Sequence, residues 1–412
     1  MLSAFSFKNI LTTALCCTFF ATLLGSCNDV PSDVGADFVK DTSIITKVAS
    51  STVLPLIEKT SVERIGQIRV NDLVKNIGFN NPTIMAGATP IGQKAYAFLN
   101  PGKLADSLKT ITEANIISAD LVLQPTRYAL GDTANQLSLS VFALKEFWKY
   151  NDTLENIFPP LLAGKSTHFD ENTPVGSFKS DIDRKNDSTP ITITISKTLI
   201  AGWFVTSDTT TGLALAPNAD SKFIQQFRSL TSNFSPAINL RVIYTAPTTQ
   251  DTVTLLIPMS IHGTFVNAPG AESESDILIQ SGTAYRTAID FDLTSIEPFS
   301  SIHSAKFIIN LKSSLLSSYP QRVLLVERIA NPAGNFNDIL ASYGVKNDAG
   351  QYEFTGLGSR VEKWLRGTSK GRLYIRTESE GENADRLIFH GLNATDSTLR
   401  PRIEILYSTR PK

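Results

Sequence analysis

The sequence of this chain repeats itself, and the repeat constrains the fold more than any other feature. The matched segments, in order, are 83–98 with 276–291, 116–123 with 302–309, 137–144 with 322–328, 198–215 with 360–375 and 227–244 with 389–407. The offset falls from 193 residues at Phe98 and Phe291 to 161 at Trp203 and Trp364. Loop insertions explain this drift, because surface loops tolerate them at little cost. We therefore predict two copies of one architecture, a first copy at 83–244 and a second copy at 276–407.

The residues inside each copy follow the periodicity of β-strands. Residues 191–195 alternate between isoleucine and threonine, which gives a strand one apolar and one polar face. Pro190, Pro236 and Pro401 stand where such runs begin, and a proline there removes no hydrogen bond from the sheet. Only short helical pieces are predicted, around the two repeated tryptophans. The predicted fold class is all-β, with two tandem antiparallel β-sandwiches.

The first 27 residues have the pattern of an export signal followed by a lipidation site. Lys8 precedes an apolar stretch at 10–24, which is the layout of a secretory signal. Leu24-Gly-Ser-Cys27 then looks like a bacterial lipobox, whose cysteine receives a lipid and becomes the first residue of the mature chain. The alternative is a plain secretory signal with a chance cysteine. We expect lipidation of Cys27 and localisation in the cell envelope as an outer-membrane lipoprotein.

Cysteine usage and net charge restrict the chemistry and the partners. The three cysteines, Cys16, Cys17 and Cys27, all lie in the first 27 residues, and the mature chain would hold only the lipidated Cys27, so we expect no disulfide, thiolate catalysis or cysteine-bound zinc in the mature body. The net charge of −1 argues against nucleic acid as a partner. The expected partners are the membrane, through the lipid anchor, and polysaccharide or other envelope proteins. No cofactor is expected.

Residues 28–33 can be interpreted in two ways. They resemble the short acidic stretch of surface-exposed lipoproteins in some Bacteroidetes-type bacteria, and the alternative is a polar tether between lipid and fold. The whole chain is then divided by prediction into a signal peptide at 1–26, a lipidated tether at 27–50, a first sandwich at 51–245, a linker at 246–250 and a second sandwich at 251–412.

The closing motifs of the repeat resemble the DNRLRE-domain family of bacterial surface and secreted proteins. The matching residues are Ser359, Val361, Trp364, Gly367, Gly371, Leu373 and those at 401–407. The string that names the family is degraded here to residues 384–389, and the first copy lacks it. The resemblance covers roughly 71–245 and 251–408. It implies jelly-roll-like sandwiches that serve as wall, stalk or binding modules, often near carbohydrate-active modules.

Three functions are compatible with this sequence. The first is a non-catalytic structural or adhesive module, the second a carbohydrate-binding module that serves polysaccharide use, and the third, less favoured, a glycoside hydrolase. Glu378 with Glu380 and Asp290 with Asp292 are acidic pairs, but hydrolase pairs usually come from separate strands. We therefore expect no enzyme activity and no catalytic residue.

Aromatic residues are candidates for sugar contacts. Trp148 and Tyr150 lie in a segment that mixes aromatic and charged residues, and they are the predicted glycan contacts. Trp203 and Trp364 occupy equivalent positions of the repeat, so we predict that they belong to the cores.

Metal binding has little support in the sequence. The four histidines are far apart, and none forms a pair with the spacing of a zinc site. Residues 181–187 gather carboxylates, but Arg184 and Lys185 interrupt them, which favours a solvated turn over a calcium loop. No metal site is expected.

An Asp-Ser/Thr pattern, followed by an apolar residue or threonine, occurs seven times. It resembles the O-glycosylation acceptor motif of Bacteroidetes envelope proteins. The alternative is turn chemistry, which favours the same residue types. The predicted acceptors are Ser107, Thr133, Thr153, Ser188, Thr209, Thr252 and Ser397.

Overall fold

The computed structural model describes residues 45–51, 54–64, 83–145, 169–170, 172–183, 189–207, 210–230, 236–267, 276–282, 285–317, 322–330, 336–378 and 380–409. Strands dominate these residues and pair antiparallel, which confirms the all-β prediction. Residues Val48–Tyr407 form one compact unit, and this unit contains both copies of the repeat.

The strands in chain order are β1 Ile45–Ser50, β2 Ile57–Arg64, β3 Thr83–Ala88, β4 Lys94–Asn100, β5 Ile116–Gly131, β6 Leu137–Ala143, β7 Gly176–Ser180, β8 Ile191–Thr194, β9 Leu213–Pro217, β10 Phe223–Arg228, β11 Asn239–Thr245, β12 Thr252–Pro258, β13 Ile261–Asn267, β14 Ile277–Gln280, β15 Tyr285–Asp292, β16 Ser301–Leu315, β17 Val323–Ala330, β18 Phe336–Lys346, β19 Gln351–Phe354, β20 Lys370–Thr377, β21 Arg386–Phe389 and β22 Arg402–Thr409. Two α-helices, α1 Lys197–Val205 and α2 Gly358–Arg366, and three short 3₁₀ helices, Asp106–Thr110, Glu113–Asn115 and Ser397–Leu399, complete the described elements.

The sheet of the first copy runs β12-β11-β5-β10-β3-β4-β9-β6-β7, with β13 added on β4 and β8 on β5. Strand β5 is 16 residues long and serves two layers. Its first part pairs with β11 and β8, and its last part pairs with β10. The two layers therefore share one bent strand and face each other across a core.

The second copy repeats this plan. Its strands follow the order β22-β16-β19-β18-β17-β20-β15-β14-β21, with β2 added on β15. The long strand β16 corresponds to β5: it pairs first with β19 and then with β21. Because β21 pairs with both β14 and β16, this path of strands closes on itself.

The two copies exchange their opening strands. Strand β13 precedes the second copy in sequence but pairs with β4 of the first, where Thr264 lies opposite Ala97. Strand β2 precedes the first copy but pairs with β15 of the second, where Thr60 lies opposite Ile289. Ser51, directly after β1, donates its amide to the Ile403 carbonyl of β22 at 3.1 Å. The first sheet is thus one continuous segment, whereas the second is completed by strands from the start of the chain.

The predicted linker is a hairpin turn. The Ala246 amide donates to the Asp251 carbonyl at 2.8 Å, and the Gln250 amide donates to the Ala246 carbonyl at 2.9 Å. Strands β11 and β12 continue the same ladder on both sides of this turn. The predicted boundary at 251 therefore does not coincide with the end of the first sheet, because β12 and β13 extend it to Asn267.

Each copy contains one nine-residue helix with its tryptophan at the same place. Trp203 on α1 is 4% exposed and Trp364 on α2 is 7% exposed, which confirms the prediction that both are core residues. Helix α2 buries Val361, Trp364 and Leu365 on one face and ends at Arg366 before Gly367.

Two apolar cores lie between the layers. The core of the first copy includes Leu121, Ile193, Phe204, Leu215, Leu240 and, from the segment at 252–267 that contains the exchanged strand β13, Ile257. The core of the second includes Ile289, Phe307, Phe354, Trp364, Ile405 and, from the start of the chain, Ala49, Leu56 and Ile57. Each exchanged segment therefore contributes buried side chains to the sheet that receives it.

The loop at 380–385 joins the two copies through buried polar contacts. Tyr128 of β5 donates its hydroxyl to Asp385 at 3.2 Å and accepts the Ala384 amide at 2.7 Å. Gln93 donates its side-chain amide to the Ala384 carbonyl at 2.6 Å. Ala384 is buried together with Met85, Ala95, Tyr128, Leu130, Ile224 and Val266 of the first sheet. A loop of the second copy thus covers the face of the first sheet that points away from its core.

Candidate functional site

Several predicted site residues lie outside the described residues. They are the lipidation residue Cys27, the glycan contacts Trp148 and Tyr150, and the acceptors Thr153, Ser188 and Thr209. Their predicted roles therefore stay predictions. Within the part of the chain that is described, neither α1 nor α2 has the length and apolar character needed to cross a membrane.

The four remaining acceptors, Ser107, Thr133, Thr252 and Ser397, are all exposed. Two of the preceding aspartates also make the bonds of a tight turn. Asp132 accepts the Ala134 amide at 3.2 Å, and Asp396 accepts the Thr398 amide at 2.9 Å. Accessibility agrees with glycosylation and these bonds agree with turn chemistry, so both interpretations of the motif stay open.

The acidic pairs considered for hydrolysis are held in ion pairs. Glu378 accepts from Arg322 at 2.5 and 2.9 Å, and Glu380 accepts from Arg286 at 2.5 and 2.8 Å. Asp290 likewise accepts from Arg372 at 2.6 and 2.8 Å.

Asp292, the fourth of these carboxylates, lies 3.3 Å from the Lys370 ammonium. Hydrogen bonds from Thr294 lower the pKa of Asp292, and Lys370 lowers it further. Each of the four carboxylates of the two acidic pairs is therefore held by a neighbouring cation.

The charged cluster around Arg286 is the most buried ionic feature of the second copy. The Arg286 guanidinium lies 2.5 Å from Glu380 and 2.7 Å from Asp338, and it is 1% exposed. Arg376 lies 3.4 Å from Asp338, and Arg328 stacks on the Tyr374 ring at 4.4 Å. Burial alone would lower the pKa of Arg286, but the two carboxylates raise it. The cluster therefore keeps Arg286 charged and fixes four strands of the sheet to the 380–385 loop.

Groups of three or more metal-ligating side chains do not occur among the described residues. Of the proposed calcium segment at 181–187, only residues 181–183 are described, so the choice between a solvated turn and a calcium loop stays a prediction.

An open groove of about 500 Å³ lies on the outer face of the second copy. Strands β16 and β22 and the segment before α2 form it, and the lining residues are Val48, His303, Ser304, Ala305, Lys306, Thr355, Gly356, Gly358, Glu404, Ile405 and Leu406. Ala305 and Ile405 are buried, whereas His303, Ser304 and Thr355 are exposed. The groove thus combines apolar side chains with hydroxyl, imidazole and charged groups.

One additional residue distinguishes this region from the first copy. In the first copy Ile193 pairs with Leu121, and two residues later the Ile195 amide donates to the Ala119 carbonyl at 2.8 Å. In the second copy Phe354 pairs with Phe307, and the Leu357 amide, three residues later, donates to the Ala305 carbonyl at 3.2 Å.

Gly356 absorbs this extra residue with a φ of +76°, a conformation that favours glycine. Gly356 and the preceding Thr355 both line the groove. The insertion therefore places a loop where the first copy has the end of a straight strand.

Two cations surround one carboxylate at the groove. Lys306 lies 3.1 Å from Glu404, and Arg402 lies 3.1 Å from the same carboxylate. Burial raises the pKa of Glu404, but hydrogen bonds from Lys306 and Arg402 outweigh this effect and lower it. Glu404 is therefore ionised at neutral pH, and Lys306 and Arg402 together more than compensate its charge.

Phe299 occupies an unusual turn directly before β16. The Ser300 amide donates to the Glu297 carbonyl at 3.3 Å, and Pro298 holds the second position of this turn. Phe299 has a φ of +63°, so the turn is type II, in which glycine is the preferred third residue. The phenylalanine is 82% exposed. Its backbone costs about 1–3 kcal/mol relative to an unstrained conformation.

Sequence reasoning missed both the groove and Phe299. Pro298-Phe299 carries no signal for a positive φ, because glycine or asparagine usually marks that position. The extra residue at Gly356 is visible only when the matched strands are aligned through their sheet partners.

The chain matches no family model and no curated protein. Among solved structures, the C-terminal domain of the AgI/II polypeptide BspA from Streptococcus agalactiae is similar with a TM-score of 0.16 and 11% identity, over 80% of this chain and 92% of that one. A chain named BspA_C_mut gives a TM-score of 0.13 and 11% identity, over 81% and 91%. TM-scores this low do not establish a common fold, so the resemblance to the DNRLRE-domain family stays a prediction.

Proposed function

We propose that this chain is a lipid-anchored envelope protein whose two strand-exchanged copies form one non-catalytic module with a structural or adhesive role. Its lipid would be attached at Cys27, and its localisation would be the outer membrane, with surface exposure as the proposed orientation. Residues 28–44 would connect the lipid to β1.

The strand exchange is the observation that carries this proposal. Tandem domains joined by a linker usually pivot, because their interfaces are small and polar. Here β2 and β13 each complete the sheet of the other copy, and the 380–385 loop adds buried contacts between them. Such an arrangement favours a stiff body that keeps its shape under load. That property suits a protein held at one end by a lipid.

The ion pairs support the non-catalytic part of the proposal. A glycosidase needs one carboxyl group to donate a proton and another to act as base or nucleophile, with the two flanking a substrate. Glu378, Glu380, Asp290 and Asp292 are instead bound to neighbouring cations. This arrangement is typical of structural carboxylates.

Lipid labelling in a Gram-negative host tests the anchor. We expect the wild-type chain to incorporate a clickable palmitate analogue and the Cys27→Ser chain to lose the label. Cys16→Ser and Cys17→Ser are matched controls, because both change a cysteine of the same segment and should keep the label. A labelled Cys27→Ser chain would contradict the anchor.

Protease treatment of intact cells tests surface exposure. Digestion of the labelled chain without lysis supports display on the cell surface. Digestion only after lysis would place the module on the inner side of the membrane and refute the proposed orientation.

Intact mass measures the proposed O-glycosylation. We expect the native mature protein to exceed its lipidated mass, and the excess to fall when Ser107, Thr133, Thr252 and Ser397 are replaced by alanine. A native mass equal to the lipidated chain would leave turn chemistry as the explanation of the Asp-Ser/Thr motif.

A further inference from the structure

We propose that the outer edge of strand β12 is a self-association site, at which β12 pairs antiparallel with β12 of a second molecule of this chain. The two molecules would be related by a twofold axis, and their first sheets would join into one. The pairing requires no lipid, so it can be tested separately from the proposed function.

Strand β12 lies at the end of the first sheet. Its seven residues pair with β11, from Thr252 opposite Thr245 to Pro258 opposite Asn239. Among the strands that the structure describes, β11 is the only one that pairs with β12. An edge of this kind presents a row of backbone N–H and C=O groups to which a further strand can bind.

Two hydrogen bonds determine which backbone groups point to this outer edge. The Ala246 amide donates to the Asp251 carbonyl at 2.8 Å, and the Met259 amide donates to the Ile238 carbonyl at 3.0 Å. Bonded and non-bonded pairs alternate along an antiparallel ladder. The odd-numbered residues from 251 to 259 therefore bond to the neighbouring strand, and the even-numbered residues direct their N–H and C=O groups outwards.

The outward-pointing donors are centred on Thr254. They belong to Thr252, Thr254 and Leu256, because Pro258 has no N–H and ends the row. When Thr254 lies opposite Thr254 of the second molecule, Thr252 lies opposite Leu256. Each molecule then donates three N–H groups to carbonyls of the other, so this register uses every outward donor of both strands.

Strand β12 lacks the charges that protect other edge strands from pairing. Residues 252–258 are Thr-Val-Thr-Leu-Leu-Ile-Pro. Strand β1, which takes the corresponding place beside β22, carries Lys47, strand β7 carries Lys179, and β2 carries four charged residues. Charged side chains, lysine above all, are the usual means of blocking an exposed edge. The first copy therefore leaves open an edge that the second copy protects.

The two other uncharged strands with a single partner are less suited to pairing. Strand β8 has four residues, and residues 262–266 of β13 are buried. On β12, by contrast, Thr252, Thr254 and Leu256 are exposed, and the Leu256 side chain is 58% exposed.

The side chains of β12 fit a second copy of the same strand. Leu255 is half-buried against the first core, and Val253 lies on the same face of the strand. In the register centred on Thr254, Val253 lies opposite Leu255 of the second molecule, so the aliphatic row of the core continues across the pair. Thr254 meets its own counterpart, and threonine pairs are favourable between neighbouring strands. A charged strand would find no counter-ion among residues 252–258.

Cysteine cross-linking tests the pairing and its register. The protein used is the full chain with its three native cysteines changed to serine, made in a bacterial cytoplasm so that Thr252 carries no sugar. Oxidised Thr254→Cys should form a covalent dimer, because bonded partners have Cα atoms about 5.5 Å apart. Thr252→Cys is the matched control: its two cysteines would lie about 14 Å apart. We expect cross-linking at least tenfold faster at 254 than at 252.

A mixture of two single-cysteine chains checks the register independently. Thr252→Cys and Leu256→Cys should cross-link to each other faster than either cross-links to itself, since these positions lie opposite one another in the proposed pair.

A charged substitution tests whether this edge drives the association. Sedimentation velocity should show a reversible dimer of the cysteine-free chain at high concentration. Thr254→Lys would place two like charges opposite each other and should abolish the dimer. Thr192→Lys changes an exposed threonine of β8 in the same way and should leave the dimer unchanged. Thermal melting of both variants should match the parent chain, which separates association from folding.

Three results would overturn the proposal. They are a chain that stays monomeric at every concentration, equal cross-linking rates at 254 and 252, and a Thr254→Lys chain that dimerises like its parent. The last two would show random collision or association through another surface. None of them affects the lipid labelling of Cys27, so failure here and failure of the proposed anchor are separate results.

Discussion

The two copies share a core plan but differ in what covers the outer faces of their sheets. In the first copy that face is apolar, with Met85, Leu130 and Ile224 buried under Ala384 of the 380–385 loop. In the second copy Tyr374 and Val326 are buried beside the Arg286 cluster. The comparison teaches that the repeat determines which residues form the core between the layers. The residue types of each outer face instead match the segment that covers that face.

One cross-strand ion pair also differs in residue type between the two copies. Asp120 of β5 pairs with Arg241 of β11 at 3.2 Å, and the equivalent strands of the second copy place Lys306 opposite Glu404 at 3.1 Å. The sign of each partner is reversed while the pair is retained. Because attraction depends on the product of two charges, the pair attracts with either polarity.

The largest expected effect comes from breaking the ionic face of the second copy. Arg286→Met would leave Glu380 and Asp338 buried without their main cation, so we expect a loss of about 3–5 kcal/mol in the free energy of unfolding. Urea unfolding measures it. Arg322→Met removes the cation of an exposed pair with Glu378 and should have almost no effect. Equal, small losses for both variants would show that the cluster does not hold the sheet.

The second-largest expected effect on stability tests whether the segment at the start of the chain completes the core of the second copy. Leu56 precedes β2 and is fully buried in the core of the second copy, so Leu56→Ala should cost about 2–4 kcal/mol. Val48 belongs to the same exchanged region but is 71% exposed, and Val48→Ala should change stability by less than about 0.5 kcal/mol. Urea unfolding compares the two variants. Similar values would mean that the start of the chain does not complete this core.

Gly212 and Gly371 stand at equivalent positions of the two copies, but each position requires glycine for a different reason. A Cβ at Gly371 would overlap the Trp364 indole, whereas one at Gly212 would meet the Leu99 carbonyl at a φ of +94°. Gly371→Ala and Gly212→Ala should each cost about 1–3 kcal/mol. Trp364→Leu should relieve part of the cost at Gly371, while Trp203→Leu should not help Gly212→Ala. A double-mutant cycle measures this coupling, and additive effects in both copies would contradict the steric reason.

The smallest expected effect concerns the contact between the copies. Burial, together with the charge of Asp385, raises the pKa of Tyr128 well above its usual value. The folded protein therefore holds the neutral phenol, and stability is intact below about pH 10 and falls as pH rises beyond it.

Tyr128→Phe removes this titration along with two hydrogen bonds. We expect it to cost about 1–2 kcal/mol at neutral pH and to reduce the fall of stability between pH 10 and 11. Urea unfolding across this range measures the slope. An unchanged alkaline slope would show that Tyr128 does not titrate with unfolding.

Sequence reasoning predicted the repeat, the β class and the burial of both tryptophans. These follow from local patterns, such as the alternation in β8 and the matched positions of Trp203 and Trp364. The exchange could not be predicted, because β2 and β13 carry the same Ile-x-x-Thr-x-Val pattern and fit either sheet edge equally.

The features of the candidate site depend on contacts that sequence patterns do not record. Arg286 and Glu380 are 94 residues apart, and nothing in either local sequence links them. The segment at 246–250 contains Pro247 and threonines, which suit a linker and a turn alike. Its hairpin follows from the ladder between β11 and β12, and β11 is in turn paired with β5.

Disulfide trapping tests the strand exchange most directly. Lys59 of β2 lies opposite Asp290 of β15, and such partners lie within reach of a disulfide. In a chain with Cys16, Cys17 and Cys27 changed to serine, we expect Lys59→Cys with Asp290→Cys to oxidise to an intramolecular disulfide in the monomer. Lys59→Cys with Phe98→Cys, which would join β2 to β4 in an unexchanged tandem because Phe98 is the position on β4 that corresponds to Asp290 when the exchanged strands are aligned, should stay reduced. A disulfide in the second pair, and none in the first, would contradict the exchange.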